Sequence, residues 1–459
     1  MKTIRLSALL LAAFCCANAN AAAAPAAKNI IFFLGDGMGS TTVVAARLFK
    51  YREEGLLNME RMERSARIKT YSNDAQTTDS APSMGAYMTG IKINNDVISM
   101  ADAKATSPAK DVNGNYTIDN CMPGNGRAVP TILELAKAAG KSVGAVTTTE
   151  MTHATPASTF AHACHRNTLH SMASRIVPGS PDYNGALGDG VDVLMGGGRN
   201  LFTPYDAKRN TAGRADGRDL MAQFAAKGYT VASNAGEMQA APAGRKFIGI
   251  YSDSSHLDFE IERRPSQPAL SQMALKAVEL LAPNPKGFFL MVEGGKIDHA
   301  LHDTNAKRAL VETIAFDDAI KTVVDRMQVL DPGLKNTLIV VTADHDHTLV
   351  MNGYAKRGNP VLDIVRNPSD GLPAKDADGK TYTTMVFGNG PNRKGERIDV
   401  DSDVAQGTEY HQETGVRQSS ETHGGGDVKL FATGAGSGVF KGTMENTKVF
   451  HLMKAAFGI

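Results

Sequence analysis

The chain has almost no surplus of charge, with 49 Lys and Arg against 48 Asp and Glu in 459 residues. Without a field of one sign there is little to hold nucleic acid or an anionic membrane, so neither is expected as a principal partner. Long apolar runs are also missing. The segment Leu6–Phe14 is too short to span a bilayer, and no later run reaches the required length, so no stable membrane span is expected. Internal repeats are absent, and the alanine-rich stretch near the N-terminus is the only low-complexity tract.

What is present begins with a leader. Lys2 and Arg5 form a basic start, Leu6–Phe14 an apolar core, and ANANAAAA a set of small-residue cleavage sites. Residues 1–24 therefore read as a signal peptide cut between Ala19 and Ala24, which leaves 25–459 as the mature chain, periplasmic or secreted. Lipid attachment at Cys15 or Cys16 is the alternative, and bulky Phe14 argues against it. The mature chain keeps two of four cysteines, Cys121 and Cys164. In an exported protein they form a disulfide or remain thiols beside functional residues, and the sequence leaves both open. With 42% hydrophobic residues the chain can build a large core, as more than one ordinary domain or as one large α/β unit with insertions.

Short apolar runs recur, each closing on Gly, Asp or Thr: NIIFFLGDGMG, SVGAVTTTE, VDVLMGGG, KFIGIYSDS, GFFLMVEGG, TLIVVTADHDH and VKLFATGAG. Helical patterns such as VPTILELAKAAG and ALSQMALKAVELLA lie between them. This alternation predicts an α/β fold, a mostly parallel central β-sheet sandwiched between helices, with ligands gathered at the carboxyl ends of the strands. Three runs deliver acids there: Asp36, Glu293 and Asp344. One such acid is ordinarily a loop carboxylate or a helix cap; three, each with Gly or His close by, point to metal. Residues 353–420, rich in Gly, Pro, Asp and other polar residues, read as an inserted surface subdomain.

Imidazoles join the acids. In DHALH, Asp298 and His302 stand four apart and share a helix face, a chelating spacing, whereas His299 points elsewhere, behind the ligands or toward substrate. In VTADHDHT, Asp344 and His345 follow a strand directly and His347 lies two residues on. Imidazole with carboxylate suits Zn²⁺ better than Ca²⁺ or an all-oxygen Mg²⁺ site. His423, before VKLFATG, counts as a ligand only because it completes a set. In TTDSAPSMGAYMTG, Ser80 opens a helix, where backbone N–H groups and the dipole favour attack on an anion. An ordinary capping serine is the competing reading.

The motifs GDGMG (Gly35 to Gly39), TDSAPS (Thr78 to Ser83), HATPA (His153 to Ala157), VEGGKIDHALH (Val292 to His302), TADHDH (Thr342 to His347) and ETHGGGDV (Glu421 to Val428) occur in an order that resembles the alkaline phosphatases over nearly the whole mature chain. The resemblance implies two Zn²⁺ and one Mg²⁺, with Ser80 as the nucleophile that accepts the phosphoryl group. It assigns Asp298, His302 and His423 to the first zinc and Asp36, Asp344 and His345 to the second, next to Ser80. Asp36, Thr155 and Glu293 match the third site, His153 is its neighbour and either biases it toward Zn²⁺ or leaves Mg²⁺ more loosely held, Arg166 grips the phosphate, and His347 stands behind the ligands. At His153 and His299 some bacterial members have Asp and Lys, whereas vertebrate enzymes have this pair of histidines. The family further implies phosphate monoesters as substrates, a homodimer with a monomer as the alternative, and a small crown-like insertion within 353–420, where YTTMVFGNGP (Tyr382 to Pro391) matches. Without the resemblance, Arg166 reads as a surface ion pair.

Physical chemistry fits these roles. Serine is a poor nucleophile unless activated, and two cations roughly 4 Å apart can stabilise the entering and leaving oxygens of an in-line displacement. A sulfatase would want arginine where Met84 stands, a diesterase commonly presents threonine, and a passive binder of metal or phosphate has no use for Ser80.

Overall fold

In a computed structural model of the chain, residues 27–459 are described. The leader assigned to 1–24 lies outside them. Among the described residues no helix is long and apolar enough to cross a membrane.

Ten strands form one sheet in the order Gly442–Glu445, Arg64–Lys69, Val428–Gly434, Thr337–Ala343, Asn29–Gly35, Phe288–Gly294, Ser142–Glu150, Val193–Gly197, Phe247–Ile250, Thr230–Ala232. All neighbours are parallel except Val428–Gly434, which runs against both of its partners. The central strands FFLMVEG and TLIVVTA are buried at every position, as expected of strands covered on both faces. Two groups of mutually packed helices provide that cover. One comprises Ser40–Tyr51, Leu270–Leu281 and Ala306–Leu330; the other comprises Ser80–Thr89, Ile132–Ala138, Ala154–Phe160 and Asn446–Phe457.

Register aligns the acids. Leu34 pairs with Glu293, and Gly35 pairs with both Gly294 and Ala343. Asp36 and Asp344 therefore leave adjacent strands at one level, and Glu293, paired with Leu34, sits two residues short of that level on the third strand, all at one edge of the sheet.

Within 353–420, Met385–Gly390 joins Leu349–Met351 and Thr414–Arg417 in a separate three-stranded sheet. This region is tied to the start of the long helix, where Asn305 donates to Thr408 and the Ala306 amide to Gln412.

Cys121 and Cys164 form a disulfide across 43 residues. Cys164 sits in a satellite core with Ile93, Val97 and Ala103 that backs the loop carrying Arg166. Loop-closure entropy for that separation is worth about 4 kcal/mol. Cys121→Ser is thus expected to cost about 2–4 kcal/mol, read as a lower denaturation midpoint with a raised m-value, because the unfolded chain without the crosslink exposes more surface; an unchanged midpoint would show that the bridge adds nothing.

Candidate active site with three metal-ligand clusters

Ser80 is the first residue of its helix and is 2% exposed. Asp79 caps that helix by accepting from the Ala81 amide at 2.8 Å, which fixes Ser80 at the positive end. Its Oγ lies 3.3 Å from Asp36 Oδ1 and 3.2 Å from His345 Nε2.

Around this hydroxyl the ligand-type side chains gather in three groups. Asp298, His302 and His423 meet, with His347 close by; Asp36, Asp344 and His345 meet; and Asp36 also meets His153 and Glu293. Backbone contacts set the tautomers of the first two groups. Nδ1 of His302 donates to the Glu421 carbonyl at 2.6 Å, Nδ1 of His423 to the Thr78 carbonyl at 2.8 Å, and Nδ1 of His345 to the Asp346 carbonyl at 3.3 Å. Each neutral ring therefore turns an Nε2 lone pair inward. The Nε2 atoms of His302 and His423 face each other at 3.1 Å, and both lie within 3.5 Å of Asp298 Oδ1. Two acceptors held that close call for a cation between them.

His347 differs. Its Nε2 donates to Asp298 Oδ1 at 2.8 Å and its Nδ1 to Glu421 Oε2 at 2.6 Å, so neither nitrogen has a lone pair to offer. Burial opposes its charge, but the two carboxylates outweigh that and raise its pKa to about 10. The loop ahead makes room for it: Gly37 has φ +64°, and a Cβ there would sit 2.4 Å from His347 Nε2.

Electrostatics leaves a deficit of positive charge. Burial, then repulsion by Asp344 and Asp298, pushes Asp36 well above the usual carboxylate range, and burial raises Asp344. Burial also takes Glu293 up to about 7, despite hydrogen bonds from Thr147 and Thr149. Buried polar atoms left without partners include Asp36 Oδ2, Asp344 Oδ2, Glu293 Oε1 and Thr155 Oγ1. Buried carboxylates without partners are costly unless a cation meets them, so this donor set fits bound metal.

Arg166 borders the clusters. Its Nη1 donates to Asp79 at 2.9 Å, its Nη2 to His153 Nε2 at 3.2 Å, and its amide to the Asp96 carbonyl at 2.7 Å. A guanidinium only donates, so His153 Nε2 must accept and the neutral ring carries its proton on Nδ1. In this arrangement His153 lies within the third group but offers it no lone pair. Its pKa is far below the ordinary value because of burial and then the charge of Arg166. The His299 ring packs 5.6 Å from that of His153, and burial lowers its pKa to about 4.

Three neighbours escaped the sequence reading. Asp79 pins Arg166 as well as capping the helix. Glu421 lies in a quoted motif but was given no role. His256 packs 4.2 Å from His299 and accepts from the Glu150 amide; its signal was its position just past the strand Phe247–Ile250, at the same sheet edge.

A family model described as alkaline phosphatase matches residues 27–459. The tissue-nonspecific alkaline phosphatase isozyme of Gallus gallus is 35% identical over 469 residues, covering 94% of this chain and 84% of that protein. The alkaline phosphatase of Gadus morhua is 34% identical over 94% of this chain and 91% of its own. Among solved structures, the alkaline phosphatase of the Antarctic bacterium TAB5 aligns with TM-score 0.67 at 25% identity, covering 94% of this chain and 99% of that one. The Thermus thermophilus enzyme aligns with TM-score 0.69 at 25% identity, covering 95% and 92%. With its sheet edge, its ligand clusters and these matches taken together, the chain belongs to the alkaline phosphatase family of metal-dependent phosphomonoesterases.

Proposed function

We propose that the protein is exported and converts phosphate monoesters to an alcohol and inorganic phosphate through a covalent phosphoserine at Ser80. The observation that carries this reading is the position of Ser80 Oγ, within 3.3 Å of both Asp36 and His345 at the start of a helix. Asp298, His302 and His423 would hold one Zn²⁺, and Asp36, Asp344 and His345 a second. Asp36, Thr155 and Glu293 would hold a third ion, Mg²⁺ or alternatively Zn²⁺, with His153 beside it. When bound, the ions supply Lewis acidity that favours an ionised hydroxyl and offsets charge developing on oxygen.

The chain's own groups do the rest. Ser80 Oγ attacks phosphorus as the ester P–O bond breaks, and the alcohol leaves with a proton from solvent. The Ser80 proton passes to solvent as Oγ attacks and is restored to Oγ when water displaces it from phosphorus. Arg166, steadied by Asp79, turns its remaining N–H groups to the phosphate oxygens. His299 flanks the phosphate side. Water then displaces Ser80 Oγ from phosphorus and releases inorganic phosphate. Recognition centred on phosphate leaves the alcohol free and implies broad specificity.

The same reading takes 1–24 as a leader removed on the way to the periplasm or the exterior, 25–459 as the catalytic domain, and 353–420 as its crown-like insertion. A homodimer is the working form, with a monomer as the alternative.

The test is hydrolysis of p-nitrophenyl phosphate at alkaline pH, before and after chelation and after return of Zn²⁺ and Mg²⁺, with bis(p-nitrophenyl) phosphate and p-nitrophenyl sulfate as controls. Metal-dependent preference for the monoester is expected. Preference for the diester or sulfate would replace the substrate class, and bound zinc without turnover would make the protein a binder. Arg166→Lys should raise KM and the inhibition constant of phosphate about 10–100-fold, because lysine loses the planar fork. Unchanged phosphate inhibition would remove Arg166 from that role.

A further inference from the structure

Glu421 belongs to none of the ligand groups. Yet it is 1% exposed and touches two of the histidines gathered at Asp298. Its carbonyl accepts from His302 Nδ1 at 2.6 Å, and its amide donates to the His302 carbonyl at 3.2 Å. Its carboxylate does separate work. Oε2 accepts from His347 Nδ1 at 2.6 Å, while Oε1 accepts from the Thr348 amide at 2.7 Å and the Thr348 hydroxyl at 2.5 Å. His347 passes the constraint on through its donation to Asp298 Oδ1. A continuous line thus runs from the Thr348 backbone through Glu421 and His347 to Asp298, and no link in it depends on solvent.

Asp298 needs such a tether. It is the one carboxylate facing two inward lone pairs, those of His302 and His423. Its rotation by a few tenths of an ångström would open the set. Groups behind metal ligands act by fixing ligand orientation, and losing one typically costs 10–100-fold in metal affinity.

We propose that Glu421 is a positioning residue that, through His347, holds Asp298 in the geometry required to retain the metal ion of the Asp298, His302 and His423 cluster, a proposal that rests on reading that cluster as a metal site. The backbone of Glu421 hydrogen-bonds His302 and its carboxylate hydrogen-bonds His347, lying 3.6 Å from His302 Nδ1, so a side-chain change removes the second role and leaves both backbone bonds to His302 in place. Glutamine suits the purpose. It keeps the volume and an oxygen for Thr348, but turns an N–H donor toward the N–H of His347.

The experiment is a zinc competition titration of purified full-length wild type and Glu421→Gln against a chromophoric chelator. It is joined by the visible spectrum of the cobalt-substituted proteins and the Tm of each protein after chelation. The proposal expects one zinc equivalent to weaken about 10–100-fold, altered cobalt bands from that site, retention of the other ions, and a chelated Tm equal to that of chelated wild type. Native competition curves and cobalt bands in the variant would overturn it. A chelated Tm lowered together with uniform loss of all ions would also overturn it, because Glu421 would then support the fold and not one site. Asp298→Asn is the reference for the underlying reading. If that variant binds as much zinc as wild type, the cluster is not a metal site and the failure lies there, separate from any result for Glu421.

Discussion

Ser80→Ala is expected to lower kcat for phosphomonoester hydrolysis on the order of 10³-fold while leaving the protein folded and loaded with metal. The substitution removes one hydroxyl and no cap, because Asp79 accepts from the Ala81 amide and keeps the helix start intact. The lost contacts to Asp36 and His345 are long, at 3.3 and 3.2 Å, so the change in Tm should stay within about 3 °C. A residual rate is expected, since Arg166 and the ligand clusters still bind and orient the phosphate for direct attack by water. Product inhibition by phosphate should persist for the same reason. Measured kcat, zinc content and Tm of the variant decide the matter; near-native kcat would mean that Ser80 only caps a helix.

Stripping the metals is expected to abolish turnover and to reduce stability in a way that depends on pH. Ligands that bind only the folded state stabilise it by about 4 kcal/mol per site at 1,000 times Kd. The sign follows from the buried acids. Without metal, Asp36 and Asp344 are raised and Glu293 moves from 4.5 to about 7, so the folded protein keeps protons there that metal must displace. Raised acids compete with metal at low pH, and Glu293 ceases to do so as pH passes about 7. Burial lowers His302 and His345, so these rings lose their protons earlier and add no competition in that window. The gain in Tm from zinc and magnesium should therefore be small near pH 5 and grow as pH passes about 7, where Glu293 gives up its proton. Calorimetry of chelated and reloaded protein across that range tests it, and a pH-independent gain would contradict the clustering of these acids at the metals.

Much of the fold was legible because strands buried on both faces cannot hide. The runs around FFLMV, LIVV and IIFFL carry unbroken apolar residues, and each is followed within three residues by an acid that the sheet brings to one edge. The strands at and next to the sheet edges were not legible. Arg64–Lys69, RSARIK, is half exposed and polar, and it joins the sheet through backbone pairing with Val428–Gly434. Thr230–Ala232 is three residues long and has no pattern to read. Within the site, ligand-type residues announced themselves by residue type and spacing. Their supports did not: a buried glutamate behind a histidine looks like any other glutamate until burial and partners are known, which is the case for Glu421. His256 is a lone histidine in a polar loop, and only the fold brings it against His299. The tautomer of His153 was likewise unreadable, since it depends on Arg166, thirteen residues away, lying 3.2 Å from one ring nitrogen.

The most direct test of the account is to quench the metal-loaded enzyme in acid during turnover of p-nitrophenyl phosphate and map phosphate adducts by mass spectrometry. The account predicts a phosphoryl group on the peptide TDSAPS, at Ser80, formed in wild type and absent from Ser80→Ala. An adduct on another residue, or steady turnover with Ser80 never modified, would contradict it.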